Sequence, residues 1–175
     1  MYESEAELGE LQVLLDDSLA RATAHLRSII RPGERTLTAP QLVNVISGMC
    51  TLAVSSVTAR CEPRVSGADG HFLHGRWIFS TLRSSAKARQ FAARPAVSLA
   101  HLRGDDFGVF AHGTVEVLNP AEGPDDPQWP AVLEHLTRHY GSSPLSLGDV
   151  VCYRVRPHWM VAFAADPASL LAEGD

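Results

Sequence analysis

The stretch Trp77-Ile78-Phe79-Ser80-Thr81-Leu82-Arg83-Ser84-Ser85-Ala86-Lys87-Ala88-Arg89 joins an apolar, aromatic run to a hydroxyl-rich turn and then to a basic segment. Aromatic and β-branched residues suit a pleated strand, and serine suits a helix N-cap. The stretch therefore predicts a strand from Trp77 to Ser80 that passes directly into a helix over Ser84 to Ala93. Arg94-Pro95 stops that helix, because proline disfavours helical geometry in the residue before it. Three kinds of group that favour an anion converge at such a junction: the hydroxyls of Ser80, Thr81, Ser84 and Ser85, the free N–H groups of the first helical turn, and the Lys87 ammonium. The pattern fits a phosphate site, against the plainer reading of a capped helix start with a solvated lysine.

Strands continue on both sides. Upstream, Thr51 to Thr58 is rich in β-branched residues, and Arg64 to Phe72 follows a turn near Glu62-Pro63, with Gly75 marking the next turn. Downstream, Ala96 to His101 and Gly108 to Leu118 flank the polar Arg103-Gly104-Asp105-Asp106 loop. A last strand runs from Val150 to Val155 and on past Pro157 to Phe163. Six strands without regular βαβ alternation predict a mainly β (α+β) fold: a six-stranded antiparallel split β-barrel of Greek-key type with flanking helices. Leu8, Leu11, Leu15, Leu19, Ala22 and Leu26 fit one amphipathic helix over residues 5 to 30, closed by Arg31-Pro32-Gly33. A short helix carries Leu42, Val43, Val45 and Ile46 after Thr38-Ala39-Pro40, and another spans Ala131 to Tyr140. Asn119 to Pro130 has no periodicity and reads as a surface loop. The expected organisation is an N-terminal helical extension over 1–36, a barrel domain over 37–165 and a C-terminal tail over 166–175.

Composition narrows the function classes. The 175 residues are 45% hydrophobic with a net charge of -5, enough for one substantial core and the wrong sign for a general nucleic-acid binder. Cys50, Cys61 and Cys152 lack the paired spacing of a disulfide framework or zinc site and read as reduced thiols. No apolar run approaches the roughly 18 to 20 residues that span a bilayer, and the start is acidic, so a cytoplasmic protein without membrane contact is expected.

From about residue 40 to 165 the motifs resemble the pyridoxamine 5'-phosphate oxidase-like family, the FMN-binding split barrels that also include deazaflavin-dependent reductases. The carrying residues are Glu62-Pro63-Arg64-Val65, Phe79-Ser80-Thr81 with Ser85-Ala86-Lys87-Ala88, Arg94-Pro95-Ala96-Val97-Ser98-Leu99, His112-Gly113-Thr114-Val115-Glu116, and Tyr153-Arg154-Val155-Arg156-Pro157-His158-Trp159-Met160. The resemblance implies a homodimer with two cofactor sites at the subunit interface. It also implies a ribityl phosphate gripped by Ser85 and Lys87 with Ser80 and Thr81 beside it, Arg64 as second cation, and Trp159 and Arg154 near the ring. The cofactor would be FMN, alternatively coenzyme F420, and less readily haem, which some split barrels bind. The activity implied is hydride transfer to or from a small organic substrate; a non-catalytic flavin- or haem-binding protein is the alternative, and a barrel kept only as a scaffold is a third. Ala86 departs from the pattern, since the B6 oxidases usually carry a basic residue there, and the C-terminal extension that completes their substrate site is not recognisable. Fold and cofactor class carry over; the B6 substrate does not.

Other features have two readings each. Small residues at 66 to 68 would let a flat ring approach beside Arg64, which is otherwise an exposed strand arginine. His112 would contact a flavin edge or simply point outward. His135 and His139 share a helical face, yet Arg138 stands between them and no glutamate follows the first, so no metal site is expected there or at His71 and His74. Asp105 and Asp106 read as solvated turn residues. No nucleophile elbow, GxGxxG or P-loop is present.

Overall fold

Side chains alternate across a strand, and here the alternation reads as the inside and outside of a closed sheet. In the computed structural model, which describes residues 2–172, the strands are β1 Cys50–Val57, β2 Pro63–Leu73, β3 Arg76–Leu82, β4 Ala96–Arg103, β5 Phe107–Val117 and β6 Val150–Ala164. They form a closed barrel in the order β1-β2-β3-β6-β5-β4, every pair antiparallel. Closure rests on three register pairs between β1 and β4: Ala53 with Ala100, Val54 with Leu99 and Ser55 with Ser98. Leu52 and Val54 of β1, Val97 and Leu99 of β4, and Val109, Ala111 and Val115 of β5 point inward and are buried with Trp77 and Phe79.

Trp77-Ile78-Phe79 is apolar without alternation because β3 is buried on both faces. Trp77 and Phe79 enter the barrel core, while Ile78 faces outward into a second core with Leu118, Cys152, Trp129, Val132 and Leu136. The last three belong to α5, Trp129–Tyr140, whose apolar stripe lies over the outside of the sheet and which ends at Gly141 with a left-handed φ of 73°. Arg154 fastens the preceding loop. Its guanidinium donates to Glu116 at 3.0 and 3.1 Å, to Asp126 at 2.8 Å and to Gln128 at 2.7 Å, so Asn119 to Pro130 is tied to the barrel. The Asn119 side chain bridges the Val150 carbonyl and the Cys152 N–H.

The single helix expected over residues 5 to 30 is two, α1 Glu5–Ala20 and α2 Ala24–Ile29. Thr23 takes extended geometry and caps α2 by accepting the Leu26 N–H, which breaks the run after Arg21. The α1 stripe lies against the barrel: Leu11 and Leu15 join the main core, and the Ser18 hydroxyl accepts the Met160 N–H at 2.9 Å. Helix α3, Ala39–Val45, starts at a Thr38–Gln41 capping box, and α4, Ala86–Ala93, crosses one end of the barrel. The C-terminal tail carries a short helix, α6 Pro167–Ala172. No helix among the described residues is long and apolar enough to cross a membrane.

Two further contacts have energetic consequences. The β5–β6 register shifts between His112 and Gly113, where Pro157, lacking an N–H, and the extra residue His158 form a bulge. A Cβ on Gly113 would fall inside the Arg156 carbonyl. On the outside, buried His71 hydrogen-bonds the Tyr140 hydroxyl at 3.0 Å and His135 at 3.1 Å, and His135 bonds Tyr2 at 2.9 Å. His139 packs edge-on against His71, completing a cluster whose members come from the chain start, β2 and α5. Burial first, then the charges of His135 and His139, lower the His71 pKa to about 4.

Gly113→Ala is expected to destabilise the fold by about 3 kcal/mol in urea unfolding, since backbone must move to admit the methyl group. His71 sets a pH dependence: its folded pKa lies below its unfolded value, so the unfolded chain binds a proton that the folded chain refuses. Stability is full above about pH 6.5 and falls as pH drops toward 4, by on the order of 3 kcal/mol. In His71→Gln the unfolding free energy should depend less steeply on pH across that window; an unchanged slope would assign the dependence to His101, His112 or His135, whose pKa values burial also lowers.

Candidate functional site

The junction that ends β3 is built by hydroxyls in series. Ser85 is the N-cap of α4, its Oγ accepting the Ala88 N–H at 3.1 Å, and Thr81 Oγ1 donates to Ser85 Oγ at 3.2 Å. The helix thus starts at Ala86, two residues after the expected Ser84. Only the third amide of the first turn is taken by the cap, which leaves those of Ala86 and Lys87 without intrahelical acceptors. Lys87 leans off the helix toward β2, where its Nζ donates to the Gly67 carbonyl at 2.8 Å and lies 6.0 Å from the centre of the Phe79 ring. Burial lowers the pKa of its ammonium. An ammonium has three protons, so this bond leaves two for another acceptor.

Two more ties hold α4 across the barrel end. The Ser56 hydroxyl on β1 bonds the Gln90 side chain, and Arg94 at the helix C-cap donates to the Val57 carbonyl at 3.2 Å. Arg64 sits opposite Ser56 in the β1–β2 register, on the strand that receives Lys87. Its guanidinium is exposed and paired to Glu62 at 2.9 Å. Three residues of strand separate Arg64 from Gly67, about 10 Å, so both cations border the same end of β2. An exposed ion pair of this kind holds by less than about 1 kcal/mol, so Arg64 is free to turn to a stronger anion.

Thr81, Ser85 and Lys87 are therefore together, with Arg64 within reach, whereas Ser80 and Trp159 stand apart. Ser80 follows inward Phe79 and precedes Thr81, so alternation turns it to the opposite face of β3, where it pairs in register with Cys152. Its hydroxyl does not join the junction. Trp159 lies on the outside of β6, its ring stacked on His112 with centroids 4.7 Å apart and planes 17° apart. His112 in turn bonds the Ser98 hydroxyl at 2.9 Å, so it points outward, into a small ordered array with Trp159. Register pairs carry this row across the barrel from Val65 through Ser55, Ser98 and His112 to Trp159. Its ends are four strand steps apart by this route, and along β6 Trp159 lies eight residues, roughly 26 Å of strand, beyond Val151, the register partner of Thr81. Trp159 and the Lys87 junction of one chain lie on different parts of the molecule.

The row, with the next one formed by Gly67, Ala53, Ala100, Phe110 and Val161, makes a surface of small and apolar residues. Val65, Leu102 and Phe110 are exposed there, at 72%, 58% and 37%. Arg154, a candidate ring contact, is consumed by Glu116, Asp126 and Gln128 and serves the loop. Asp106 is a turn residue, its carbonyl accepting the Ala165 N–H at 2.8 Å. The Gly67 carbonyl, Ser98 and the Gln90 side chain were not singled out from sequence, because strand register alone brings them to their partners.

No protein-family model and no curated protein matches the chain. Solved structures do. A FAD-binding protein from Mesorhizobium loti superposes with a TM-score of 0.55 at 19% identity, over 75% of this chain and 98% of its own. An F420 reductase gives a TM-score of 0.51 at 20% identity, over 66% of this chain and 92% of its own. HutZ, the haem storage protein of Vibrio cholerae, gives 0.57 at 14% identity, over 71% and 93%. At these identities the likeness is one of fold: the chain shares the six-stranded barrel of these structures.

Proposed function

We propose that the protein binds a flavin-type cofactor, FMN or the deazaflavin F420, with its ribityl phosphate at the start of α4, and serves as an oxidoreductase for a small organic substrate. The observation that carries this reading is the Ser85-capped helix start with the Lys87 ammonium beside it, on a barrel fold shared with a FAD-binding protein and an F420 reductase. The phosphate would take the amides of Ala86 and Lys87, the proton of the Ser85 hydroxyl, which accepts from Thr81 and Ala88 and leaves its own O–H free, and the Lys87 ammonium, with Arg64 turning from Glu62 to join them. A phosphate there also offsets the burial that lowers the Lys87 pKa. When bound, the ring supplies the hydride chemistry, and the chain's task is to orient it and exclude water.

A homodimer belongs to the same proposal. Within one chain Trp159 is too far around the sheet to wall a ring whose phosphate is held by Lys87. The apolar rows that include Val65 and Phe110 favour a second copy packing there, which would bring the partner's outer face to the junction. Exposed apolar surface of this extent on a barrel with closed edges is otherwise costly in water.

Mass spectrometry of ligand released from protein made in a host that produces both cofactors should return FMN or F420. Lys87→Ala should weaken cofactor affinity at least tenfold in a fluorescence titration, with Arg64→Ala weaker in effect; unchanged affinity in Lys87→Ala would remove the phosphate assignment. Light scattering should give twice the 18.9 kDa of one chain, and Val65→Arg, with no buried neighbour in the monomer to disturb, should return it to one. A wild-type mass of one chain would sink the dimer.

A further inference from the structure

The flank of α4 that carries Ala88, Arg89 and Ala92, turned away from Lys87, covers a cavity of about 260 Å³ between the helix and the ends of β5 and β6. Its walls are apolar, from Val115, Val117 and Val151 on the sheet and Phe91 on the helix. One polar group lines it from within. Tyr153 is 4% exposed, its ring packed 5.5 Å from Phe79 and 5.4 Å from Phe91, and its hydroxyl has no hydrogen-bond partner among the described residues. Burial raises the pKa of this phenol, with the charge of Arg83 pulling the other way, and Arg83, Arg89 and Tyr153 line the same cavity. The hydroxyl is not among the fully buried unpaired polar atoms of the described residues, so it opens to the cavity and is available to donate its proton to a ligand there.

Two guanidiniums stand at the rim. Arg83 is balanced by Asp149 at 2.9 Å and also donates to the Asn119 carbonyl. Arg89 donates to the Ser84 carbonyl and has no carboxylate partner among the described residues. The rim thus carries one uncompensated positive charge, in the planar form that suits a carboxylate, beside a hydroxyl donor and above an apolar slot.

We propose that this cavity binds a small, flat aromatic monocarboxylate, its ring between Phe91 and the β5 valines and its carboxylate on Arg89 and the Tyr153 hydroxyl. The site is independent of the cofactor junction, because Lys87, Thr81 and Arg64 form none of its walls.

The test is isothermal titration of 2-naphthoate into the full chain. Binding should saturate at one molecule per chain within roughly millimolar concentration, as expected for a ligand of this size. The neutral 2-naphthamide should bind about tenfold more weakly, and Tyr153→Phe and Arg89→Gln should each weaken naphthoate by about tenfold, with Lys87→Ala leaving it unchanged. Absence of saturable binding, equal affinity for the amide, or indifference to Arg89→Gln would overturn the proposal. Loss of binding in Lys87→Ala would do so too, by moving the anion to the cofactor junction. Should Tyr153→Phe fail to fold, the exposed Arg89 decides the matter alone.

Discussion

Closure of the sheet through three register pairs between β1 and β4 is the constraint on which the rest of the structure depends. It removes both edges, so every strand has one inward and one outward phase, and a residue's face follows from its neighbours'. Inward positions gather Trp77, Phe79, Leu52 and Val109 into one core. Outward positions fall into three groups, two of them covered by helices. The α1 helix packs over one part of β6, α5 over β3 and the adjoining strands, and the rows through Ser98 and His112 are left to solvent within one chain.

Helix α4 depends on that closure most directly. It spans the open end of the barrel and is tied to β1 by Gln90 and Arg94 and to β2 by Lys87. Because a helix turns 100° per residue, consecutive residues serve different surroundings. Lys87 and Gln90 address β1 and β2, Phe91 fills the core, and Arg89 and Ala92 border the cavity beside β5 and β6. Eight residues thus serve an anion-favouring helix start, a core plug and the roof of a slot.

Much of this was legible from local signals. The serine-rich start of α4, its stop at Arg94-Pro95 and the β-branched run of β1 depend on residues within a turn or a strand of each other, and those elements lie where expected, with α4 starting two residues later than Ser84. Local signals failed where a second layer intervened. Ser80 read as part of a hydroxyl cluster because it is next to Thr81, but strand alternation separates neighbours onto opposite faces, and α5 covers the face that Ser80 shares. The 5-to-30 stripe read as one helix because its leucine spacing persists through Thr23, where the cap ends the regular backbone. Arg154 read as a ring contact until Asp126 and Gln128, brought over by the loop, were seen to occupy it.

The sequence by itself determined the elements: six strands, the capped start of α4 and the presence of a lysine and hydroxyls at that start, all set by propensity, periodicity and capping over short range. Only the tertiary structure decided the company each side chain keeps. The Lys87 bond to Gly67, the Trp159–His112–Ser98 array, the Tyr140–His71–His135–Tyr2 chain and the position of Tyr153 over a cavity each join residues distant in sequence. Register between strands is fixed by the packing of the whole barrel, and shifting one pair by a single residue would turn every such side chain to the other face.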